Sequence, residues 1–134
     1  MIRSTFRAAL FAALIVSVTA WSEQSRAASN PRQVVCQNVG LTIAQTVTGM
    51  RNVARKYNVR PQPEDIQTAI NGIIARNTEK WRAQGLNDEG IYRYINLLQQ
   101  GAQDVKENFA THTNVSEAQS RILIEANCYN HYHF

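Results

Sequence analysis

Cysteine is scarce in this 134-residue chain, and the motifs that cysteine, histidine and glycine form in many enzymes are missing. There are two cysteines and three histidines, with no CxxC, HExxH or GxSxG motif and no glycine-rich phosphate loop. Nucleophilic catalysis needs a base held beside a serine or cysteine, whereas His112, His131 and His133 lie in a predicted loop and a terminal segment. The sequence therefore predicts that the protein is not an enzyme and binds no cofactor, and catalysis by paired carboxylates is the alternative that it leaves open.

A metal site is the alternative that the histidines leave open. His131 and His133 are two residues apart, so an extended backbone would let both bind one ion, with His112 as a third ligand. A stable site uses three or four ligands held by neighbouring groups, and a terminal segment offers little such support. We therefore assign no metal site and expect residues 131–134 to form a frayed tail.

The chain also lacks an apolar run long enough to cross a bilayer, which takes ~20 residues. Its most apolar segment, residues 8–18, follows Arg3 and Arg7 and precedes small residues. That order is typical of a secretory signal peptide, and the short run disfavours the alternative of an uncleaved membrane anchor. We therefore expect an exported protein, periplasmic or secreted, with no stable membrane span once the signal is removed.

Cleavage of this segment would halve the formal net charge, from +4 to +2. We predict a signal peptide at residues 1–20, with cleavage after Ala20 or as late as Ala27, and a flexible spacer at residues 21–30. The full chain has 14 Lys and Arg against 10 Asp and Glu, and a cut after Ala20 leaves 12 against 10, a net charge of +2. A chain so close to neutral has no overall electrostatic attraction for nucleic acid.

Proline, glycine and asparagine divide residues 31–130 into four segments with helical apolar periodicity, and no strand-like alternation of any length occurs. The third segment has the most regular stripe, and we expect the other helices to pack around it. Asn87 is predicted to cap this helix, with acidic residues in its first turn. The four predicted helices span residues 31–57, 63–84, 86–111 and 114–130, and the third stripe comprises Ile91, Ile95, Leu98, Ala102, Val105 and Phe109.

The predicted fourth helix begins with Asn114 as its cap and Glu117 three residues later, which is the spacing of a capping box. Its apolar residues recur at steps of three and four, and we expect this row to face the core. The row comprises Val115, Ala118, Ile122, Ala126 and Tyr129, widened by Leu123, Ile124 and Cys128.

Four helices with short connections predict an all-α, up-down-up-down four-helix bundle at residues 31–130. Cys36 lies near the start of the first helix and Cys128 near the end of the fourth, so this topology brings both to the same end of the bundle. In an exported chain an even pair of cysteines predicts one disulfide. We therefore expect a single bridge that joins the first and last helices.

Four cations and two aromatic residues form the predicted partner surface. The cations cluster near the end of the first helix, where they suit an acidic protein or an anionic envelope surface. Complementing the helix dipole and the nearby acids is the simpler explanation for the cations, and packing at the rim of the core is the simpler explanation for the Trp. The six residues are Arg51, Arg55, Lys56, Arg60, Trp81 and Tyr92.

The layout of a signal peptide, about 110 helical residues and one cysteine near each end is similar to that of several groups of small bacterial periplasmic proteins. These groups include immunity proteins that neutralise secreted toxins and small periplasmic chaperones, and the similarity covers layout alone. The sequence predicts a non-catalytic exported protein that binds a protein partner, such as an inhibitor, immunity or envelope accessory protein. A periplasmic carrier of a small ligand or metal is the alternative. A flat apolar patch that includes Trp81 or Tyr92 would favour the first, and a cavity with convergent polar groups the second.

Overall fold

The computed structural model describes residues 31–134, which form five α-helices and contain no β-strand. The all-α class is thereby confirmed. The predicted signal peptide and spacer lie outside the described residues. The helices are α1 (Pro31–Lys56), α2 (Glu64–Ala83), α3 (Asp88–Glu107), α4 (Phe109–Asn114) and α5 (Glu117–His131).

The longest helix, α1, is the centre of the bundle and contacts each of the other four helices. It holds this position instead of the predicted third helix because it buries residues on more than one face. The four long helices correspond to those of the predicted bundle. The short helix α4, of 6 residues, is an addition to it. Among residues 31–134, no helix combines the length and apolar character that a bilayer crossing requires.

The predicted disulfide is present and joins the first and last helices. Cys36 and Cys128 are bonded, with their Cα atoms 5.5 Å apart and 92 residues of sequence separation between them. Both side chains are buried in the core. The bridge therefore fixes the start of α1 against the end of α5.

Two glycines let the helices approach closely. A Cβ atom on Gly40 in α1 would lie 2.5 Å from Cγ of Glu125 and 3.0 Å from the carbonyl oxygen of Arg121, both in α5. A Cβ atom on Gly101 in α3 would collide with Cδ1 of Ile43 in α1. The crossings of α1 with α5 and with α3 therefore depend on residues that lack a side chain.

Local signals set the ends of α1 and α2 and the start of α3. After α1, Asn58 adopts φ 50°, and Val59 N donates to the carbonyl of Ala54 at 2.8 Å. This is a common C-terminal cap, in which one residue in the left-handed conformation ends a right-handed helix. Gly85 ends α2 with φ 104°. The side chain of Asn87 accepts from Gly90 N at 2.8 Å, so the predicted cap of α3 is confirmed.

The third helix is shorter than predicted. It ends at Glu107 rather than near Thr111, because Asn108 leaves the helical conformation and donates its side-chain amide to the carbonyl and the carboxylate of Asp104. The capping box of α5 uses Ser116 and Gln119, not Asn114 and Glu117. The reason is that Asn114 is still helical in α4, whereas Ser116 is extended and free to cap.

The prediction for the buried face of the last helix is wrong for its main row, although Ile124 and Cys128, which widened that row, are buried. Ser120, Ile124 and Cys128, at steps of four, face the core. Ile122 is 64 % exposed and Tyr129 40 % exposed, although both belong to the row predicted to be buried. The bridge to Cys36 points Cys128 at α1, and the residues one and two turns before Cys128 must then face α1 as well.

The segment expected to fray lies along α3. The hydroxyl of Tyr132 donates to Asp104 at 2.6 Å. His133 N donates to Oε1 of Gln100 at 2.9 Å, and Nε2 of Gln100 donates to the carbonyl of His133 at 2.7 Å. These bonds fix residues after α5 to the side of the bundle.

Candidate partner-binding surface

Trp81 belongs to the core and not to the predicted partner surface. It is 1 % exposed, and its ring meets the ring of Tyr94 edge-on with centroids 4.8 Å apart. The hydroxyl of Tyr94 in turn bonds Oγ1 of Thr42 at 2.8 Å. Packing in the core, the simpler explanation for Trp81, is thus the one that the structure shows, and this burial removes Trp81 from any docking site.

The predicted basic cluster is divided among different roles. Nη1 of Arg51 donates to the carbonyl of Val115 at 3.0 Å and so ties α1 to the link between α4 and α5. Nζ of Lys56 lies 5.5 Å from the ring centroid of Tyr57. Arg55 is exposed, and Arg60 lines an open depression with Lys106. Arg51 thus has a structural role, and a partner role for the other three cations stays a prediction.

Tyr92 is the one predicted aromatic anchor that is exposed, at 74 %. Its neighbours on α3 are charged: Arg93 and Glu89 form an ion pair with an N–O distance of 3.4 Å. Six large hydrophobic side chains are exposed among residues 31–134, and three of them (Ile122, Leu123 and Tyr129) lie on α5. The main exposed apolar surface of the described chain is therefore on α5.

A row of four residues runs along α5 opposite its buried face. Its members, at steps of four, four and three, are Ala118, Ile122, Ala126 and Tyr129, and all four are exposed. We call this row the α5 stripe. Its spacing is that of residues which face a partner helix, and Arg32 of α1 reaches the Tyr129 end of the row.

A shallow depression of about 460 Å³ lies beside the α5 stripe. Its floor and walls come from α5 and from the start of α1. The polar groups of α1 can accept or donate hydrogen bonds, and the α5 side chains are mainly apolar. The depression is lined by Gln33, Cys36, Gln37, Ile122, Glu125, Ala126, Tyr129 and Asn130.

The end of the α5 stripe is held in place by Arg32 of α1. Its Nη1 donates to the carbonyl of Tyr129 at 3.0 Å. Its guanidinium carbon lies 4.2 Å from the ring centroid of Phe134 and 6.0 Å from that of Tyr129. Farther along the helix, Arg121 pairs with Glu125 at 2.8 Å on one flank of the stripe. The surface is therefore a preformed helix face with a charged edge.

A buried hydrogen bond joins His112 and Ser120. Nδ1 of His112 bonds Oγ of Ser120 at 2.7 Å, and the two residues are 2 % and 1 % exposed. Burial lowers the pKa of His112 from its ordinary value of 6.5, and the charge of Asp104 opposes part of that shift. Because Ser120 is enclosed, a substrate does not reach its hydroxyl in this structure, and the pair joins α4 to α5.

The carboxylate of Asp104 is held by a network around the end of α3. It accepts hydrogen bonds from Asn127 at 3.0 Å, from Tyr132 at 2.6 Å and from Asn108 at 3.1 Å. Burial, with a smaller contribution from Asp104, raises the pKa of Tyr132 above its ordinary range. Over residues 31–134, no three His, Cys, Asp or Glu side chains converge on a point where a metal would bind.

Comparisons with known proteins give no family assignment. No protein family model matches the chain, and the searches of curated proteins and of solved structures find no significant match.

Proposed function

We propose that this protein is an exported, non-catalytic binding protein that engages a protein partner through the α5 stripe. The observation that carries the proposal is the row of exposed apolar side chains around Ile122, which is 64 % exposed. An exposed apolar row with polar edges is typical of a surface that another protein covers. An inhibitor, an immunity protein or an envelope accessory protein would work in this way.

The chemistry of the α5 stripe favours one kind of partner, namely an amphipathic helix. Steps of four, four and three match the side-chain rows of a second helix packed alongside, as in helix-in-groove recognition. The amides of Gln33 and Gln37 line the neighbouring depression. They would bind polar groups at the edge of that helix.

Export is supported by two independent features. The first residues have the basic, apolar and small-residue order of a signal peptide. The Cys36–Cys128 bridge would persist in the periplasm or outside the cell, where disulfides are stable. The alternative of a metal carrier has less support, because the described histidines do not gather with other ligands.

Site-specific photocrosslinking tests the proposal. A photoreactive residue at Ala126, within the α5 stripe, is compared with one at Tyr92 on α3, and adducts from the native envelope are identified by mass spectrometry. We expect one identified protein to crosslink from position 126 and not from position 92. The purified partner should bind the Ile122→Glu variant at least about tenfold more weakly. Equal crosslinking from both positions, no adduct, or unchanged binding of the variant would each contradict the proposal.

A further inference from the structure

We propose that the helix that fits the α5 stripe is α5 of a second copy of this chain, paired antiparallel about a two-fold axis near residues 123–124. This inference rests on the proposed binding role of the stripe and names its partner. A two-fold interface uses the same patch on both subunits, so the patch must be complementary to itself. The α5 stripe meets that condition in shape, and the flank that carries Arg121 and Glu125 meets it in charge.

The shape argument comes from alternation of small and large residues along α5. The stripe reads Ala118, Ile122, Ala126, Tyr129, which is small, large, small, large. Reversed, it reads large, small, large, small. In an antiparallel pair centred near residues 123–124, Tyr129 therefore meets Ala118 of the second copy, and Ile122 meets Ala126. A parallel pair would set each large side chain against the same large side chain of the second copy, and it would leave gaps between the facing alanines.

The charge argument comes from the flank that carries Arg121 and Glu125. They are paired within one copy at 2.8 Å, and their side chains remain 46 % and 25 % exposed. In an antiparallel helix pair, each flank meets the same flank of the other helix. The same centre then sets Arg121 against Glu125 of the second copy, and it does so twice because of the symmetry.

The opposite flank is consistent with the same centre. Gln119 and Asn130 lie on that side and are both exposed, and the pairing brings Gln119 near Asn130 of the second copy. Leu123, which is 41 % exposed, lies near the two-fold axis and so close to Leu123 of the second copy. The pairings named here are thus apolar with apolar, charge with opposite charge, or amide with amide.

The expected interface is small. Helix α5 has 15 residues and is therefore about 22 Å long. A single helix pair of this length buries less surface than a stable dimer usually needs. We therefore expect association that depends on concentration, with monomer and dimer in exchange.

Charge reversal tests the pairing without relying on the loss of binding alone. The oxidised protein is studied by sedimentation velocity over a wide range of concentration, as wild type and as the variants Arg121→Glu and Glu125→Lys. Each variant sets like charges against each other twice, so we expect its dimer dissociation constant to rise by about tenfold or more. Mixing the two variants restores both pairs, so the mixture should associate as the wild type does. The matched control is Arg93→Glu, which makes the same charge change on α3 and should leave association unchanged.

Restored association in the mixture would support the pairing and would also establish that both variants are folded. A wild type that stays monomeric, variants that associate like the wild type, or a mixture that stays monomeric would overturn it. The proposed function fails separately. If position 126 crosslinks to a different protein while the purified chain is monomeric, the α5 stripe binds a partner but not its own copy.

Discussion

Cδ1 of Ile43 occupies the position that a side chain on Gly101 would need. Ile43 is fully buried, so its side chain has little room to move when α3 and α1 are packed. We predict that Gly101→Ala lowers the free energy of unfolding by about 1–3 kcal/mol through overpacking. This loss outweighs the gain in helix propensity of up to about 1 kcal/mol that alanine normally brings.

The cause of that loss can be isolated with a second substitution. Ile43→Val removes Cδ1 and alone should cost about 0.5–1.5 kcal/mol. In the double variant the new methyl group fills the space that Cδ1 leaves. The double variant should therefore lose less unfolding free energy than the two single variants lose together. Urea unfolding of the four proteins measures this coupling. Strict additivity would show that the contact between positions 43 and 101 is not the cause.

The disulfide should supply a large part of the stability. Replacing both Cys36 and Cys128 by Ala removes a bond between residues 92 positions apart in the sequence. We expect the free energy of unfolding to fall by about 2–5 kcal/mol. The measurement is the thermal midpoint with and without reductant. Reduction should bring the wild type down to the stability of the double variant and should leave that variant unchanged. A double variant with the same thermal midpoint as the oxidised wild type would show that the bridge contributes nothing.

Stability should fall in mildly acidic solution because of His112. Burial lowers its pKa in the folded state below the ordinary value of 6.5. The unfolded chain therefore takes up the proton first as pH falls, and the folded state loses stability from about pH 6.5 downward until the folded pKa is passed. His112→Asn keeps an amide near Oγ of Ser120 but does not titrate. Its unfolding free energy should vary less than that of the wild type over this range, and parallel curves would exclude the histidine as the cause.

The bond from Tyr132 to Asp104 should stabilise the fold through the residues after α5. Tyr132→Phe removes a donor to a partly buried carboxylate, and we expect a loss of about 1.5–3 kcal/mol. The control is Tyr92→Phe, which removes a hydroxyl from a side chain that is 74 % exposed and should have almost no effect. Hydrogen exchange gives a second readout, since the amide of His133 should lose protection in the Tyr132 variant only.

The sequence was informative where a local side chain controls the backbone. Asn87 caps α3 and Gly85 ends α2 because each acts on atoms within a few residues. The pairing of the two cysteines could also be predicted, since topology and cysteine positions constrain each other. The break at Asn108 was missed, because its two hydrogen bonds to Asp104 compete with a helix that the apolar pattern alone would continue.

The candidate surface was missed because periodicity alone does not say which row of a helix faces inward. In α5 the row through Ile122 and Tyr129 is more apolar than the row through Ser120 and Cys128, so hydrophobicity favoured the wrong face. The disulfide contained the missing information. A cysteine bonded to α1 fixes the rotation of α5, and the more apolar row must then face away from α1.

The position of the disulfide also determines what a protease would leave behind. The exposed loop at residues 57–63 lies inside the segment that the Cys36–Cys128 bond closes into a ring. One cut there would open the ring without dividing the molecule, because the two fragments remain linked through sulfur. They would run as one species on a non-reducing gel and as two after reduction. A nicked molecule could therefore keep α1 and α5 together, and with them the face that we propose for binding.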